Sequence, residues 1–287
     1  MQIRKREKPD WLKINSEINE EYITVRKILK ARHLHTVCEE AKCPNRGECW
    51  RKRTATIMIL GEKCTRNCRF CAVGTNPSGA VDYDEPQKVA EAVELLGLKY
   101  CVLTSVTRDD LDDGGAELWA QTIEAIKQRT PHVKVEVLIP DFQGNESALK
   151  KVLDAKPDVL AHNLETVKEL YPIARPAANY RQSLEVLRRS KDYGAITKTG
   201  IMVGLGEQAE QVRELLMDAV KAGCDILSVG QYLQPTKKHL EVAEYVTPEQ
   251  FEKYRDMAMD IGFRAVMSAP LVRSSYHAEE LMEKVNG

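Results

Sequence analysis

The chain has 287 residues, of which 43% are hydrophobic and 30% are charged, a composition typical of a soluble globular protein. Its 42 basic and 43 acidic residues nearly cancel, so bulk charge attracts it neither to nucleic acid nor to an anionic membrane. No apolar run approaches the ~20 residues of a membrane span, and the start resembles neither a secretory signal nor a transit peptide. We therefore expect a cytoplasmic protein without nucleic-acid or membrane partners, whose clustered cysteines bind metal rather than form disulfides.

The N-terminal part of the chain carries an unusual concentration of cysteine. Arg4, Lys5 and Arg6 precede several acidic residues, which favours a solvated tail over a nucleic-acid-binding arm. Six of the eight cysteines then fall within residues 38–71, a clustering that needs a chemical cause. The first triplet is Cys38, Cys43 and Cys49, and the second triplet is Cys64, Cys68 and Cys71. Cys101 and Cys224 lie in or beside apolar runs, so we expect them to be small buried residues.

The second triplet directly follows a strand-like segment at residues 54–61. Structural zinc is the rival interpretation, but zinc usually takes paired Cys-x2-Cys knuckles or Cys/His pairs. Three closely spaced thiolates can instead hold three irons of a cubane cluster, which leaves the fourth iron free to bind a substrate or cofactor. The segment CTRNCRFC at 64–71 resembles the signature of the radical S-adenosylmethionine (SAM) superfamily in full.

This resemblance implies a cofactor and a reaction. Cys64, Cys68 and Cys71 would hold a [4Fe–4S] cluster whose unique iron binds the amino and carboxylate groups of SAM. Reductive cleavage of SAM would then give methionine and a 5′-deoxyadenosyl radical. Phe70 would lie near the adenine, because the superfamily usually has an aromatic residue before its last cysteine.

Strand-like and helix-like segments alternate along the rest of the chain, which predicts parallel βαβ units. The predicted strands are 55–60, 100–106, 134–139, 159–163, 196–203, 226–232 and 264–267. The predicted helices between them are 86–96, 116–129, 147–154, 183–191, 207–222 and 248–261. The radical SAM resemblance makes this an α/β fold with a partial (β/α)6 TIM-like barrel. We assign residues 54–268 to the barrel, 1–53 to an N-terminal extension and 269–287 to a C-terminal tail.

Candidate SAM contacts lie where the strands end, because active sites of such barrels form at that face. Gly114 and Gly115 are either turn glycines or residues that let the backbone approach SAM. The resemblance implies the second interpretation, which we favour. Asn163 and Glu165 alternate at a strand end and so face one side, which favours ligand contact. Lys198 is either a partner of the SAM carboxylate or a cation at the rim of the barrel.

The first triplet distinguishes between members of the superfamily. Its segment, VCEEAKCPNRGECW at 37–50, resembles the auxiliary-cluster motif of the lipoyl synthase family, and RSSYHA at 273–278 resembles the RSSY segment of that family. Further similar segments lie at 103–115, 162–166, 197–207 and 227–236. The resemblance implies a second [4Fe–4S] cluster held by the first triplet and a tail serine, for which we prefer Ser274 over Ser275. Serine oxygen binds iron less well than thiolate does, which suits a cluster that must be dismantled.

The same resemblance implies a sulfurtransferase. Sulfur from the auxiliary cluster would enter C6 and C8 of an octanoyl chain on a lysine of a lipoyl carrier domain or a glycine-cleavage H-type protein. An electron donor and an iron–sulfur cluster carrier would be further partners. Two alternatives stay open: a different radical SAM enzyme with an auxiliary cluster, which would cleave SAM but leave octanoyl substrates unchanged, and a non-enzymatic iron–sulfur carrier, which would form no 5′-deoxyadenosine.

Overall fold

The computed structural model describes residues 8–14, 18–76 and 81–286, so the basic residues at 4–6 lie outside the described part of the chain. The strands are β1 His35–Thr36, β2 Thr56–Ile59, β3 Lys63–Cys64, β4 Gly74–Thr75, β5 Tyr100–Ser105, β6 Lys134–Leu138, β7 Val159–Ala161, β8 Thr197–Val203, β9 Ile226–Gln231 and β10 Ala265–Ser268. The helices are α1 Glu20–Ala31, α2 Val37–Glu40, α3 Arg46–Arg51, α4 Glu85–Leu96, α5 Ala116–Arg129, α6 Glu146–Asp154, α7 Tyr171–Ala174, α8 Tyr180–Asp192, α9 Ala209–Lys221, α10 Pro248–Ile261 and α11 Ala278–Asn286.

The sheet confirms the predicted barrel. Its order is β1-β2-β5-β6-β7-β8-β9-β10, and all neighbours are parallel except β1, which runs antiparallel to β2. The seven predicted strands all form and make up the parallel part, one strand more than a sixfold barrel, because β10 pairs with β9. β1 and β10 are the two edges, so the barrel is partial rather than closed. A two-stranded parallel pair, β3 and β4, stands apart from this sheet.

Helix α4 shows how apolar residues at helical spacing and residues that favour a helix start or end together specify a helix. In α4, Pro86 occupies the first turn, where a missing N–H costs nothing, and Gly97 ends the helix with a φ of 64°. Val89, Val93 and Leu96 of α4 are buried at helical spacing. The buried side chains of α4 and α5 share one core cluster with those of β2, β5 and β6. None of the described helices combines the length and the apolar content that a membrane crossing requires.

The C-terminal tail enters the barrel instead of lying on its surface. Leu281, Met282 and Val285 of α11 pack against residues near the starts of β5, β7, β9 and β10. Near the carboxyl end of β9, a Cβ on Gly230 would lie 2.0 Å from the Val272 carbonyl oxygen. Only glycine therefore permits the tail to cross β9 this closely. The Asn45 side chain of the extension donates to the Leu271 carbonyl at 2.6 Å. The tail therefore links the sheet to the extension.

A buried carboxyl holds the turn that leads from β2 into the second triplet. Glu85, only 5% exposed, accepts a hydrogen bond from the Leu60 backbone N–H at 2.8 Å. Leu60 itself has a φ of 68°, in the left-handed region that is unusual for leucine. Burial raises the pKa of Glu85 from 4.5 to about 7.

Glu85 should make stability depend on pH. The folded state retains the Glu85 proton at a pH where the unfolded chain has released it, so stability is lost as pH rises from about 4.5 to about 7. Relative to Glu85→Gln, whose amide oxygen still accepts from Leu60, the wild type should lose on the order of 2 kcal/mol between pH 4.5 and pH 8. Anaerobic urea unfolding of the cluster-free proteins measures this difference. Parallel pH profiles for the two proteins would show that Glu85 is not the group responsible.

Candidate active site

Both cysteine triplets lie on the walls of one cavity of about 590 Å³ at the carboxyl ends of the strands. The extension contributes the first triplet, the loop after β2 contributes the second, and the tail contributes residues 273–276. Residues following β5, β7 and β9 complete the lining. The fold thus brings together three segments that are far apart in the sequence, as the motifs predicted.

The loop of the second triplet is fixed by backbone hydrogen bonds from other segments. The Arg69 N–H donates to the Ala174 carbonyl at 2.8 Å, and the Leu240 N–H donates to the Arg69 carbonyl at 3.0 Å. The His239 ring lies 2.8 Å from the Cys71 carbonyl oxygen through Nε2. The Cys64 sulfur accepts from the backbone N–H groups of Arg66 and Thr107, at 3.4 and 3.3 Å. Such N–H groups stabilise negative charge on a ligating sulfur.

A buried ion pair secures the same loop to the barrel. Arg66 donates to both oxygens of Asp141, at 2.6 and 2.9 Å, and to both oxygens of Asp109, at 2.7 and 3.0 Å. Burial alone would raise the pKa of Asp141, but the hydrogen bonds from Arg66 outweigh it and lower that pKa to about 2. The pair stays ionised near neutral pH and holds the cluster loop against the loops that follow β5 and β6.

The first triplet is built on two short helices, with Cys38 in α2 and Cys49 in α3. Burial, and then the nearby Cys43 thiol, raises the pKa of Cys38 to about 11. Burial, and then Cys38 and Cys43, raises the pKa of Cys49 to about 12. All three thiols line the same cavity. Burial raises the pKa of the Cys43 thiol, whereas the Asn45 backbone N–H and then Arg273 of the tail act to lower that pKa.

The sulfur atoms of the two triplets do not form the compact arrangement of a preformed zinc site in this structure. A tetrahedral zinc site, with Zn–S bonds of 2.3 Å, holds its sulfurs about 3.8 Å apart. Among the described residues, only His35, Glu40 and Glu62 bring three possible ligand atoms within 4.8 Å of one another. Neither cysteine triplet is this compact. Wider separation suits a cluster in which each thiolate binds a different iron. All six cysteines are free thiols, as a cluster site requires.

The two tail serines face different partners. The Asn163 amide donates to the Ser274 hydroxyl at 2.7 Å, and that hydroxyl lies 2.9 Å from where a Cβ on Gly200 of β8 would stand. The Ser275 hydroxyl accepts from the Thr56 hydroxyl at 2.7 Å. Thr56 is the first residue of β2, and β2 packs against α2, the helix that carries Cys38. This arrangement favours Ser275 over the predicted Ser274 as the serine beside the first triplet.

Asn163 and Glu165 both line the cavity and are joined by a hydrogen bond of 3.1 Å. Glu165 has a φ of 65°, an uncommon conformation that costs roughly 1 kcal/mol or more and is often found at functional sites. Burial raises the pKa of Glu165, while Arg175 and Asn163 act in the opposite direction. A carboxyl and an amide are therefore held side by side at the end of β7.

Arg175 is a cavity residue that the sequence analysis missed. Its guanidinium donates through one nitrogen to the carbonyls of Asn163 and Leu164, at 3.0 and 3.3 Å, and contacts the Tyr171 hydroxyl at 3.1 Å. Its Nε is buried and has no hydrogen-bond partner among the described residues. The sequence feature that could have indicated Arg175 is that it is the one cation in the otherwise uncharged segment YPIARPAA at 171–178.

Phe70 lines the cavity, but three other predicted SAM contacts do not. Gly114 and Gly115 have φ values of 61° and 86°, and a Cβ on Gly115 would lie 2.4 Å from the Leu60 side chain. Their positive φ values agree with the turn interpretation, and the approach of backbone to SAM stays a prediction. Lys198 is 1% exposed near the start of β8, where its ammonium lies 2.7 Å from Glu136, so neither expectation for Lys198 agrees with the structure.

Comparison with known proteins relates this site to a family. Residues 58–219 match the Radical SAM superfamily. The sequence is 56% identical over 275 residues to lipoyl synthase of Caldicellulosiruptor saccharolyticus, a match that covers 95% of this chain and 96% of that protein. It is 53% identical over 283 residues to lipoyl synthase of Chlorobaculum tepidum, covering 97% of this chain and 98% of that protein.

The fold is also similar to solved structures. One is methylornithine synthase, with a TM-score of 0.55 and 15% identity over 73% of this chain and 62% of that one. Another is coproporphyrinogen III oxidase from Escherichia coli, with a TM-score of 0.53 and 14% identity over 73% of this chain and 54% of that one. This chain spans about half to three fifths of those two structures, and at such low identity the likeness concerns the fold alone.

Proposed function

This chain belongs to the lipoyl synthase family of the radical SAM superfamily, and from that membership we propose how its residues divide the reaction. The chain is an enzyme that inserts sulfur at C6 and C8 of a protein-bound octanoyl chain. The observation that supports separate roles for the two cysteine triplets is that both of them line the same cavity. One triplet serves SAM cleavage and the other serves sulfur donation.

Cys64, Cys68 and Cys71 would hold the [4Fe–4S] cluster that binds SAM. With SAM and an electron, that cluster supplies a 5′-deoxyadenosyl radical, which can remove hydrogen from methylene carbons that no side chain is basic enough to deprotonate. The protein residues hold this site in place: Arg66 anchors the loop through Asp109 and Asp141, and backbone N–H groups contact the Cys64 sulfur.

Arg175 takes the role that the sequence analysis considered for Lys198. Its guanidinium lines the cavity, and the SAM carboxylate is a suitable acceptor for it. Asn163 and Glu165 lie beside it and would bind other polar groups of SAM, with Phe70 near the adenine. Together these residues would orient SAM toward the second triplet.

Cys38, Cys43 and Cys49 would hold the auxiliary [4Fe–4S] cluster, with Ser275 as the fourth ligand. The support for Ser275 is its bond to Thr56 of β2, the strand that packs against the Cys38 helix α2. This cluster supplies the sulfur atoms. Thiols with raised pKa values are protonated at neutral pH, so cluster assembly here must displace protons and should be favoured by alkaline pH.

The substrate would be an octanoyl-lysine on a lipoyl carrier domain or a glycine-cleavage H-type protein. Val37, Ala41, Met58, Val106 and Leu138 give the cavity an apolar lining suited to the alkyl chain. Such a lining also excludes water and leaves few competing hydrogen donors near a carbon radical. An electron donor and an iron–sulfur cluster carrier would complete the set of partners.

An Arg175→Met variant should require much more SAM. Loss of a buried, charge-assisted contact is expected to raise the SAM concentration for half-maximal 5′-deoxyadenosine formation by about 10- to 100-fold. Arg181→Met, an exposed residue of α8, is the matched control and should behave as wild type. Thermal unfolding of each variant separates a binding defect from a folding defect. An unchanged SAM requirement in a folded Arg175→Met protein would remove Arg175 from the SAM site.

The function is tested anaerobically with reconstituted protein, SAM, a strong chemical reductant and an octanoyl-lysine peptide. Mass spectrometry should find two added sulfur atoms on the peptide, together with 5′-deoxyadenosine. Deoxyadenosine with an unchanged peptide would indicate a different radical SAM reaction. The absence of both products from protein with full clusters would favour an iron–sulfur carrier.

A further inference from the structure

Five exposed cations belong to the lining of the cavity or lie close in sequence to residues that line it, and we call them the basic rim: Lys42, Lys63, Arg69, Lys237 and Lys238. Lys42 lines the cavity itself. Lys63 and Arg69 are each next to a cysteine of the second triplet. Lys237 and Lys238 belong to the turn at 236–239 that contacts the Cys71 carbonyl through His239. The rim therefore comes from the extension, the cluster loop and the segment after β9.

The basic rim takes no part in the ion pairs of the described structure. None of its five cations forms an ion pair with another residue in the described part of the chain. On the outer helices, by comparison, Arg129, Lys150 and Arg188 each pair with a carboxylate, whereas Lys221 and Lys253 do not pair with any of the described residues. Near the rim, Glu39 is paired with Arg46, and Glu40 and Glu62 lie beside His35. Glu165 is the one acidic residue among the described residues that line the cavity.

The substrate brings a folded protein to this rim. A cavity of about 590 Å³ accepts an acylated lysine side chain, but it is far too small for a carrier domain. The carrier surface around the modified lysine must therefore rest at the mouth while the acyl arm enters. A surface that rests there lies close to exposed cations without ion pairs, and this contact is most favourable if the partner supplies negative charge.

We propose that the basic rim docks an acidic surface next to the octanoylated lysine of the carrier protein. This inference rests on the proposed function, because it assigns the partner surface for that same site. The net charge of the whole chain is -1, so attraction must come from this local patch and not from the protein as a whole. Such exposed charges act over about 10 Å at 0.1 M salt, and the contact should weaken as salt is raised.

The test compares two octanoyl substrates with chemical reductant, so that no protein electron donor competes for the rim. One substrate is the whole octanoylated carrier, and the other is a short octanoyl-lysine peptide without acidic residues. In the Lys237→Glu/Lys238→Glu variant, the ratio of the carrier KM to the peptide KM should rise by about tenfold or more. The wild-type carrier KM should increase with salt, and this increase should be much smaller in the variant.

Lys221→Glu/Lys253→Glu is the matched control, because these exposed lysines on α9 and α10 have no ion pair in the described structure. It should leave the KM ratio unchanged. An equal KM ratio in the wild type and the rim variant would overturn the proposal. A proportional loss on both substrates would overturn it too, because the lysines would then shape the cavity and not the docking surface. If the wild type modifies neither substrate, the proposed function itself fails, which is a distinguishable result.

Discussion

A Cys68→Ala variant is expected to form no 5′-deoxyadenosine, whereas a Cys43→Ala variant is expected to form it and yet add no sulfur to the octanoyl peptide. The reason is that the two triplets stand on separate segments, one in the loop after β2 and one in the extension. Removing one of three thiolates should reduce the corresponding reaction by more than about 100-fold, since even loss of an indirect contact to a metal ligand costs 10- to 100-fold. Iron content and both products are measured on the same anaerobic samples.

Cys224→Ala is the matched control for these two variants. Cys224 is 4% exposed and its thiol faces the Ile226 carbonyl, outside the cavity, as its apolar sequence context predicted. Replacing it should cost about 1 kcal/mol of stability and leave both products unchanged. If Cys43→Ala abolished deoxyadenosine formation while retaining the second cluster, the two triplets would not have separate roles.

The parts of the fold that could be predicted are those specified by local pattern. The run at residues 100–106 is apolar and β-branched, and it became β5, Tyr100–Ser105. The span 116–129 became α5 without change, because its apolar spacing and the preceding glycines agree. The cysteine spacings were equally informative, since both triplets reach one cavity. α11, Ala278–Asn286, was not predicted, because its burial depends on the open interior of the barrel.

The sequence analysis misplaced Lys198 and missed Arg175, because the role of each depends on where the residue lies along a strand or in a loop. Lys198 is the second residue of β8, and its partner Glu136 lies two strands away, so no sequence pattern indicates the pairing. Tyr100 completes that buried group by donating to the other oxygen of Glu136 at 2.7 Å. Arg175 can be identified as a site residue only from the structure, in which its guanidinium donates to the carbonyls of Asn163 and Leu164. Local sequence cannot report these long-range distances.

A Ser275→Ala variant is expected to cleave SAM and to lose sulfur insertion by more than about tenfold, while Ser274→Ala retains insertion. Adjacent residues of one short segment face different neighbours here: Ser274 contacts Asn163 near β8, and Ser275 contacts Thr56 of β2. Only the second contact leads to the first triplet, because β2 packs against α2, the helix that carries Cys38. Product mass and deoxyadenosine yield, measured together, distinguish the two serines.

Ser275→Cys makes the test more specific. A thiolate binds iron more strongly than a serine oxygen does, so this variant should assemble the auxiliary cluster and release its sulfur more slowly than wild type. Iron and sulfide content should therefore stay full while product formation falls. Ser274→Cys places the thiol near Asn163 instead, and it should leave the content of both clusters unchanged. If Ser274→Ala lost insertion and Ser275→Ala retained it, the fourth ligand would be Ser274, and the Thr56 contact would have only a structural role.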